Sequence, residues 1–249
     1  MEVDVEDKDA VDKAQILEAL RKGKIDLQGQ FLSGSNYTFL ADLTYGGLEF
    51  QVVYKPVRGE QPLWDFPHGS LARREVAAYL VSEALGWNFV PPTVFRKDGP
   101  LGAGSLQQYI DHDPNDHYFN FEEKDRDRLR PVVVFDLILN NADRKGGHIL
   151  RDAKDHLWLI DHGLCFHVED KLRTVVWDFS GEEIPDEIIG RVASLIDQLA
   201  EGTPLHTELL RYLRAGEISA LAARSRRLCA AGRFPAPPSS RRSYPWPPV

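Results

Sequence analysis

The sequence predicts an α+β protein with two lobes. Segments with the alternating aliphatic and aromatic residues of strands fill the first part of the chain, and helical patterns dominate the second part. A polar stretch at 112–130 separates them and is expected to connect the lobes. A chain of 249 residues is long enough to bury a core in each lobe. We therefore predict an N-lobe over 10–110 and a C-lobe over 111–232.

The predicted N-lobe contains one sheet and two helices. Alternating apolar residues with turn signals at "SGSN" and "YGG" are typical of antiparallel strands. Ser70 directly precedes a helical pattern and is expected to cap it. In chain order, the predicted elements are a frayed acidic terminus (1–9), a helix (10–23), three antiparallel strands (24–56), a helix (71–86) and two further strands (88–96 and 104–111).

The predicted C-lobe is mostly helical. Its first helix, at 129–141, is apolar and leads into a loop crowded with charged residues. Proline dominates the last segment, 233–249, which we expect to be disordered because such a composition disfavours a packed core. The remaining predicted elements are two short strands around a turn (147–163) and helical segments at 185–202 and 206–232.

Composition and charge narrow the class of protein. Hydrophobic residues make up 43% of the chain and charged residues 27%, as in ordinary globular proteins. No apolar run reaches the roughly 18 residues of a membrane span, and the acidic beginning does not resemble a secretory signal. Cys165 and Cys229 fit a reducing cytoplasm. The net charge of −8 disfavours a nucleic-acid partner. From these observations together we expect a cytoplasmic protein with no nucleic-acid partner and no integral membrane contact.

Three charged residues lie where predicted strands or helices end. Lys55 closes the strand "FQVVYKP", Asp143 lies in the charged loop, and Asp161 follows the apolar strand "LWLI" and precedes a glycine turn. A carboxylate at a strand tip can hold a metal rigidly. A lysine can bind phosphate oxygens, and a second carboxylate can orient an attacking hydroxyl. These residue types therefore favour phosphoryl transfer.

Five segments carry a resemblance to a known family: "LSGSNYTF", "VVYKP", "REVAAYLVSEALG", "NNADRKGGHIL" and "LWLIDHGLCF". They occur in the order of the phosphatidylinositol 3-/4-kinase-like catalytic domain, and the chain resembles that family over roughly residues 25–190. The type II phosphatidylinositol 4-kinases and uncharacterised bacterial relatives look most similar. The resemblance implies a two-lobed protein-kinase-like fold, with an antiparallel-sheet N-lobe and a mostly helical C-lobe. It also implies an ATP-dependent kinase that uses Mg²⁺ or Mn²⁺.

The resemblance implies a role for each matching residue. Lys55 would bind the α- or β-phosphate of ATP, and Glu75 would hold its ammonium group. Asp143 would be the catalytic carboxylate, and Arg144 would steady its loop. Asp161 would hold the metal ion on the β- and γ-phosphates. The phosphate-covering loop would consist of Ser33, Gly34, Ser35 and Asn36, and the adenine-reading hinge of Gln107, Gln108, Tyr109 and Ile110.

His148 departs from the family pattern. Five residues after the catalytic aspartate the family has a metal-binding asparagine, and this chain has a histidine. Imidazole is a poorer Mg²⁺ ligand than an amide oxygen and suits Mn²⁺ better. His148 is thus a candidate metal ligand beside Asp161. The departure leaves two alternatives to an active kinase: a nucleotide-binding pseudokinase that acts as a regulatory scaffold, and a relative that transfers the adenylyl group.

The acceptor hydroxyl stays open at this stage. A small molecule, a protein and a lipid headgroup are all compatible with the motifs, although the net charge of −8 disfavours a phosphoinositide. The segment 167–185, after the second aspartate, is predicted to face the acceptor. Within it, Lys171 and Arg173 could meet an anion, and Trp177 could pack beneath it.

Overall fold

The N-lobe is built on a five-stranded antiparallel sheet. The computed structural model describes residues 12–31 and 36–249. The strands hydrogen-bond in the order β1-β2-β3-β5-β4, so that the central strand β3 lies between the first hairpin and the last. Their bounds are β1 Lys24–Phe31, β2 Thr38–Tyr45, β3 Leu48–Pro56, β4 Thr93–Gly99 and β5 Gly102–Gln108.

Two helices pack on this sheet in different ways. Helix α1 (Lys13–Lys22) buries Ala19 and Leu20 in a small core with residues of the sheet. Helix α2 (Leu71–Ala84) buries residues around most of its circumference. Its residues Ala77, Ala78 and Val81 belong to the large core of the C-lobe rather than to the core of the sheet. Helix α2 therefore joins the two lobes.

The start of α2 differs from the sequence prediction. Ser70 occupies the N-cap position but makes no capping hydrogen bond through its side chain. The Glu60 carboxylate instead accepts from the N–H groups of Leu71 and Ala72, at 3.2 and 2.9 Å. A carboxylate at this end is also favoured by the helix dipole. A cap that comes from ten residues upstream could not be recognised from local sequence.

The C-lobe is mostly helical, and the predicted two-lobed α+β fold is confirmed. Its large core contains fully buried apolar residues from several helices, among them Phe135, Val192 and Leu221. Strands β6 (Ile149–Arg151) and β7 (Leu157–Leu159) form the predicted short hairpin. The helices are α3 (Glu123–Arg126), α4 (Arg130–Leu139), α5 (Asp186–Gln198), α6 (Pro204–Leu209) and α7 (Ala215–Ala231).

The proline-rich segment 233–249 lies against the C-lobe, whereas the sequence suggested disorder. Phe234 is 2% exposed. The carbonyl of Ser243 accepts from the Thr174 N–H at 3.0 Å, and the carbonyl of Pro248 accepts from the Gly146 N–H at 2.8 Å. Proline prevents regular helix or ladder formation but leaves every carbonyl free to accept. The segment is therefore held by its carbonyls and a few buried side chains.

No helix among residues 12–31 and 36–249 is both long enough and apolar enough to cross a membrane.

Candidate active site

A cleft lies between the sheet of the N-lobe and the segments that follow α4 and β7. It has a charged half and a more apolar half, and Thr38, Lys55 and Asp161 border both. In the charged half, the fold thus brings together residues that are up to 128 positions apart in the chain, from Asn36 to Leu164. The predicted site residues that line the charged half are Asn36, Lys55, Glu75, Asp143, His148 and Asp161.

Lys55 is held between two carboxylates. Its ammonium group lies 2.6 Å from Oε1 of Glu75 on α2 and also contacts Oδ1 of Asp161. The other carboxylate oxygen of Glu75 accepts from the backbone N–H of His162 at 2.9 Å. Burial by itself would lower the pKa of Lys55, but Asp161 and Glu75 outweigh it and raise the pKa above its ordinary value. Lys55 is therefore a firmly charged group inside the cleft.

Asp161 lies at the turn after β7. Its backbone is left-handed, with φ of 60°, which directs the chain sharply into Gly163. Its side chain is 43% exposed and faces the cleft. Burial by itself would raise the pKa of Asp161, but the Lys55 ammonium outweighs it and holds the pKa below its usual range. The carboxylate is therefore ionised and open to a cation.

Asp143 lies in the loop after α4, and a neighbouring side chain fixes the backbone there. The amide oxygen of Asn141 accepts from the Asp143 N–H at 2.9 Å, and its amide nitrogen donates to Asp136 at 3.0 Å. Burial raises the pKa of Asp143, and Lys145, at 3.6 Å, partly offsets this. A carboxylate with a raised pKa is a better proton acceptor.

Arg144 has no exposed surface and holds the loop from beneath. Its guanidinium group contacts both oxygens of Asp136 at 3.0–3.1 Å and donates to the carbonyls of His148 and Ile160. It also lies 2.8 Å from Nε2 of His162, whose pKa burial holds far below its usual range. These contacts leave the guanidinium group inside the protein rather than in the cleft. Arg144 can therefore position the loop but does not reach a substrate.

His148 lies beside Asp161, with Nε2 at 3.2 Å from Oδ2 of the aspartate. Burial lowers the pKa of His148 to about 4, so its ring is neutral near pH 7. Its Nδ1 lies 3.5 Å from the Lys145 N–H, which favours a proton on Nε2. To bind a cation through Nε2, the ring would carry that proton on Nδ1 instead and lose the Lys145 contact.

The donors in the cleft fit a metal ion that arrives with a nucleotide. Among the described residues, no three or more His, Cys, Asp and Glu side chains are grouped to hold a metal by themselves. Mg²⁺ is commonly bound by one or two carboxylates together with substrate phosphates, and Asp161 with Asp143 or His148 supplies such a set. Lys55 provides the positive charge beside Asp161.

The apolar half of the cleft contains the predicted adenine-reading residues. Gln107, Gln108, Tyr109 and Ile110 line it, together with apolar side chains from both lobes. The sequence interpretation missed those side chains. Two of them have a simple signal: Val53 lies two residues before Lys55 on the same face of β3, and Ile160 directly precedes Asp161. The apolar residues that the sequence interpretation missed are Phe31, Val53, Leu150 and Ile160.

The predicted phosphate-covering loop is described only at its end. Ser33, Gly34 and Ser35 lie outside the described residues. Asn36 lines the charged half of the cleft, where its side-chain oxygen accepts from the Gln61 N–H at 2.7 Å. Lys145 also lines this half and was not predicted, although its position two residues after Asp143 could have suggested it.

The residues expected to face the acceptor lie in three different surroundings. Lys171 lies 3.3 Å from Glu169 and 3.5 Å from Asp65, and it stands over the Trp64 ring. Arg173 lies near enough to Asp143 to lower its pKa. Trp177 lines a separate cavity of the C-lobe rather than the cleft, so it does not lie beneath an acceptor bound there.

The two lobes and the cleft between them define a protein-kinase-like fold, which solved structures share. The Golgi casein kinase has a TM-score of 0.52 and 15% identity, covering 88% of this chain and 74% of that chain. Hydra Fam20 has a TM-score of 0.53 and 15% identity, covering 88% and 87%. Identity this low relates the folds alone.

The chain belongs to the same family as protein Rv2133c of Mycobacterium tuberculosis. The two are 42% identical, over 92% of this chain and 93% of that protein. A weaker relationship links the chain to phosphatidylinositol 4-kinase gamma 3 of Arabidopsis thaliana, at 29% identity over 72% of this chain. The chain spans 40% of that kinase. No family model matches. The resemblance to phosphatidylinositol kinases and uncharacterised bacterial relatives is thereby confirmed.

Proposed function

We propose that this protein is an ATP-dependent phosphotransferase that moves the γ-phosphate of ATP to a hydroxyl group. The observation that carries the proposal is the arrangement of Lys55, Glu75, Asp143 and Asp161 around one cleft. One ammonium and two partly exposed carboxylates beside an apolar pocket match what a triphosphate, its cation and a planar base require. The names of the related proteins, which include kinases, agree with this reaction.

Lys55 exchanges partners when the nucleotide binds. Its contact with Glu75 is retained, since Glu75 is only 5% exposed and fixed by His162. Its contact with the more exposed Asp161 is replaced by a phosphate oxygen. Asp161, assisted by His148, would hold Mg²⁺ or Mn²⁺, and such an ion would supply positive charge to the phosphate groups.

Asp143 accepts the proton of the acceptor hydroxyl. As the hydroxyl oxygen bonds to the γ-phosphorus, the bond from that phosphorus to the β–γ bridging oxygen breaks, and ADP leaves with the bridging oxygen. The raised pKa of Asp143 suits a group that takes up a proton during the reaction. Arg144 keeps the loop in place through Asp136 and has no direct part in this step.

The adenine ring is bound at the end of β5. The N–H groups of Gln108 and Tyr109 are already bonded, to the carbonyls of Pro92 and Gln51 at 2.9 and 3.0 Å. For the Ile110 N–H, the described residues supply no acceptor, so it is free to donate to the ring. Val53 and Ile160 would enclose the ring faces.

The proposal is tested by incubating purified protein with γ-labelled ATP, either Mg²⁺ or Mn²⁺, and candidate acceptors. ADP release or label transfer is expected for the wild type, and Asp161→Asn is expected to reduce either by at least about a hundredfold because the cation loses its carboxylate. Asp127→Asn, at an exposed carboxylate outside the cleft, is the matched control.

Three results would contradict parts of the proposal. If Asp161→Asn retains turnover, Asp161 does not have the proposed role of metal ligand. Tight nucleotide binding without turnover under both metals supports the scaffold function. Transfer of label from α-labelled ATP to a protein supports adenylyl transfer.

A further inference from the structure

A second cavity lies in the C-lobe and shares no lining residue with the cleft. Its walls come from the end of α4, from α7 and from the segment 233–249. Most of the charge that the described residues place on its wall is positive, since Asp170 carries their only carboxylate there. The lining cations are Arg224, Arg227, Arg233 and Arg241.

Two of these arginines are neutralised and two are not. Arg241 pairs with Asp170 at 2.7 Å, and Arg233 pairs with Glu183 at 2.6 Å. Arg224 donates only to main-chain carbonyls, those of Ile138 at 2.8 Å and His167 at 3.1 Å. Arg227 has no hydrogen-bond or ion-pair partner among residues 12–31 and 36–249. Two positive charges of the wall therefore lack a carboxylate.

Two buried donors of the same wall also lack an acceptor. Nη2 of Arg224 and Nε1 of Trp177 are buried, and neither has a hydrogen-bond partner within the described part of the chain. A buried donor without an acceptor destabilises the folded protein. Burial lowers the pKa of Arg224 to about 10, which still leaves it charged near neutral pH. An oxyanion bound against this wall would supply acceptors of the kind that these donors lack.

Apart from Asn140 and Asp170, the rest of the wall is apolar, which restricts the kind of anion. Leu137, Leu172 and Leu228 line the cavity together with Pro235 and Pro238. Guanidinium groups bind phosphate through several charge-assisted hydrogen bonds, whereas a hydrated inorganic ion gains nothing from leucine and proline side chains. We propose that this cavity binds the phosphate group of a phosphomonoester whose organic part packs on the apolar wall.

Calorimetric titration of the full chain tests this site, with phenyl phosphate and inorganic phosphate as probes. Phenyl phosphate is expected to bind more tightly because its ring covers apolar wall. Arg227→Gln is expected to weaken phenyl phosphate binding about five- to tenfold through the loss of one charge-assisted contact. Arg226→Gln is the matched control, since it removes an exposed arginine of the same helix that does not line the cavity.

Further variants assign the binding to this cavity. Lys55→Met, in the cleft, is expected to leave phenyl phosphate affinity within about twofold. Trp177→Phe removes one of the buried donors and is expected to weaken binding about threefold. Because Trp177 is largely enclosed, thermal unfolding of each variant verifies that the fold persists, and the exposed Arg227 keeps the test valid if Trp177→Phe unfolds.

The outcomes are distinct. The proposal would be overturned if neither phosphate probe binds. It would also be overturned if Arg226→Gln and Arg227→Gln lose the same affinity for phenyl phosphate, or if only Lys55→Met loses affinity. Sedimentation with phosphatidylcholine vesicles, with and without phosphatidic acid, identifies the source of the phosphate. Binding to phosphatidic acid that depends on Arg227 indicates a lipid phosphate, and binding of phenyl phosphate without vesicle binding indicates a soluble phosphomonoester.

Discussion

One cluster of charge lies inside the protein beneath the loop of Asp143, another borders the cleft, and the two are bonded in opposite ways. In the first, Arg144 and Asp136 have 0% and 1% of their side chains exposed, and neighbouring groups use their hydrogen-bonding capacity. In the second, Lys55 and Asp161 are 19% and 43% exposed, and they border open space. The first cluster is complete without a ligand, whereas the second holds charges that a ligand can take over. A structural ion pair is therefore distinguished from a functional one by its burial and by whether neighbouring groups already use all of its hydrogen-bonding capacity.

The largest expected effect comes from breaking the saturated cluster. Asp136→Asn leaves the Arg144 guanidinium buried without its counter-charge, and we expect the free energy of unfolding to fall by about 3–5 kcal/mol. Urea denaturation measures this change. Asp127→Asn, at an exposed carboxylate, is the control. A loss below about 1 kcal/mol for Asp136→Asn would show that the pair is not the support of the loop.

A somewhat smaller effect is expected where the N-lobe helix is tied to the C-lobe. Arg74, next to Glu75 on α2, is 1% exposed; it contacts the Glu217 carboxylate of α7 and donates to the Cys165 carbonyl at 2.5 Å. We expect Glu217→Gln to lower the unfolding free energy by about 2–3 kcal/mol, because an amide still accepts but no longer balances the charge.

Two further variants sharpen that measurement. Glu208→Gln, at an exposed pair on α6, should change stability much less. The double variant Arg74→Met and Glu217→Met removes both charges, and it should recover part of the loss because apolar side chains avoid the desolvation of a buried ion. The free energy of unfolding lost in the double variant is compared with the sum of the losses in Arg74→Met and Glu217→Met. If the double variant loses more than that sum, the buried charge is not the cause.

The sequence predicted the fold because its signals are local. The hairpin between β2 and β3 illustrates this, since Gly46 and Gly47 have φ of 57° and 87°, which the "YGG" pattern requires. The cap of α2 by Glu60 and the docking of 233–249 were missed because both depend on contacts between distant segments. Alternating patterns do not encode which remote side chain reaches a helix end.

The candidate site could be predicted in part for the same reason. Lys55, Asp143 and Asp161 stand at element ends, where a pattern change is visible in sequence. That Arg144 points into the protein could not be read from its neighbours, because Asp136 lies on the preceding helix and His162 on a later turn. That some arginines of the second cavity lack a carboxylate partner could not be predicted either, since pairing and burial are properties of the folded chain.

Within the open cluster, Lys55→Met is expected to weaken nucleotide affinity about tenfold, or about 1.4 kcal/mol, through the loss of one charge-assisted contact to phosphate. Equilibrium binding of a fluorescent ATP analogue measures this affinity. Lys22→Met, at an exposed lysine of α1, is the control. Equal affinities in the wild type and Lys55→Met would mean that the lysine does not touch the phosphates.

The smallest expected change in stability comes from Asp161→Asn. Lys55, Glu75 and Asp161 carry one positive and two negative charges, so removing the Asp161 charge leaves a balanced Lys55–Glu75 pair. Because Asp161 is also 43% exposed, we expect the free energy of unfolding to change by less than about 1 kcal/mol. Urea denaturation beside Asp136→Asn provides the comparison. A loss as large as that of Asp136→Asn would mean that the fold depends on both clusters alike, and burial would then not distinguish them.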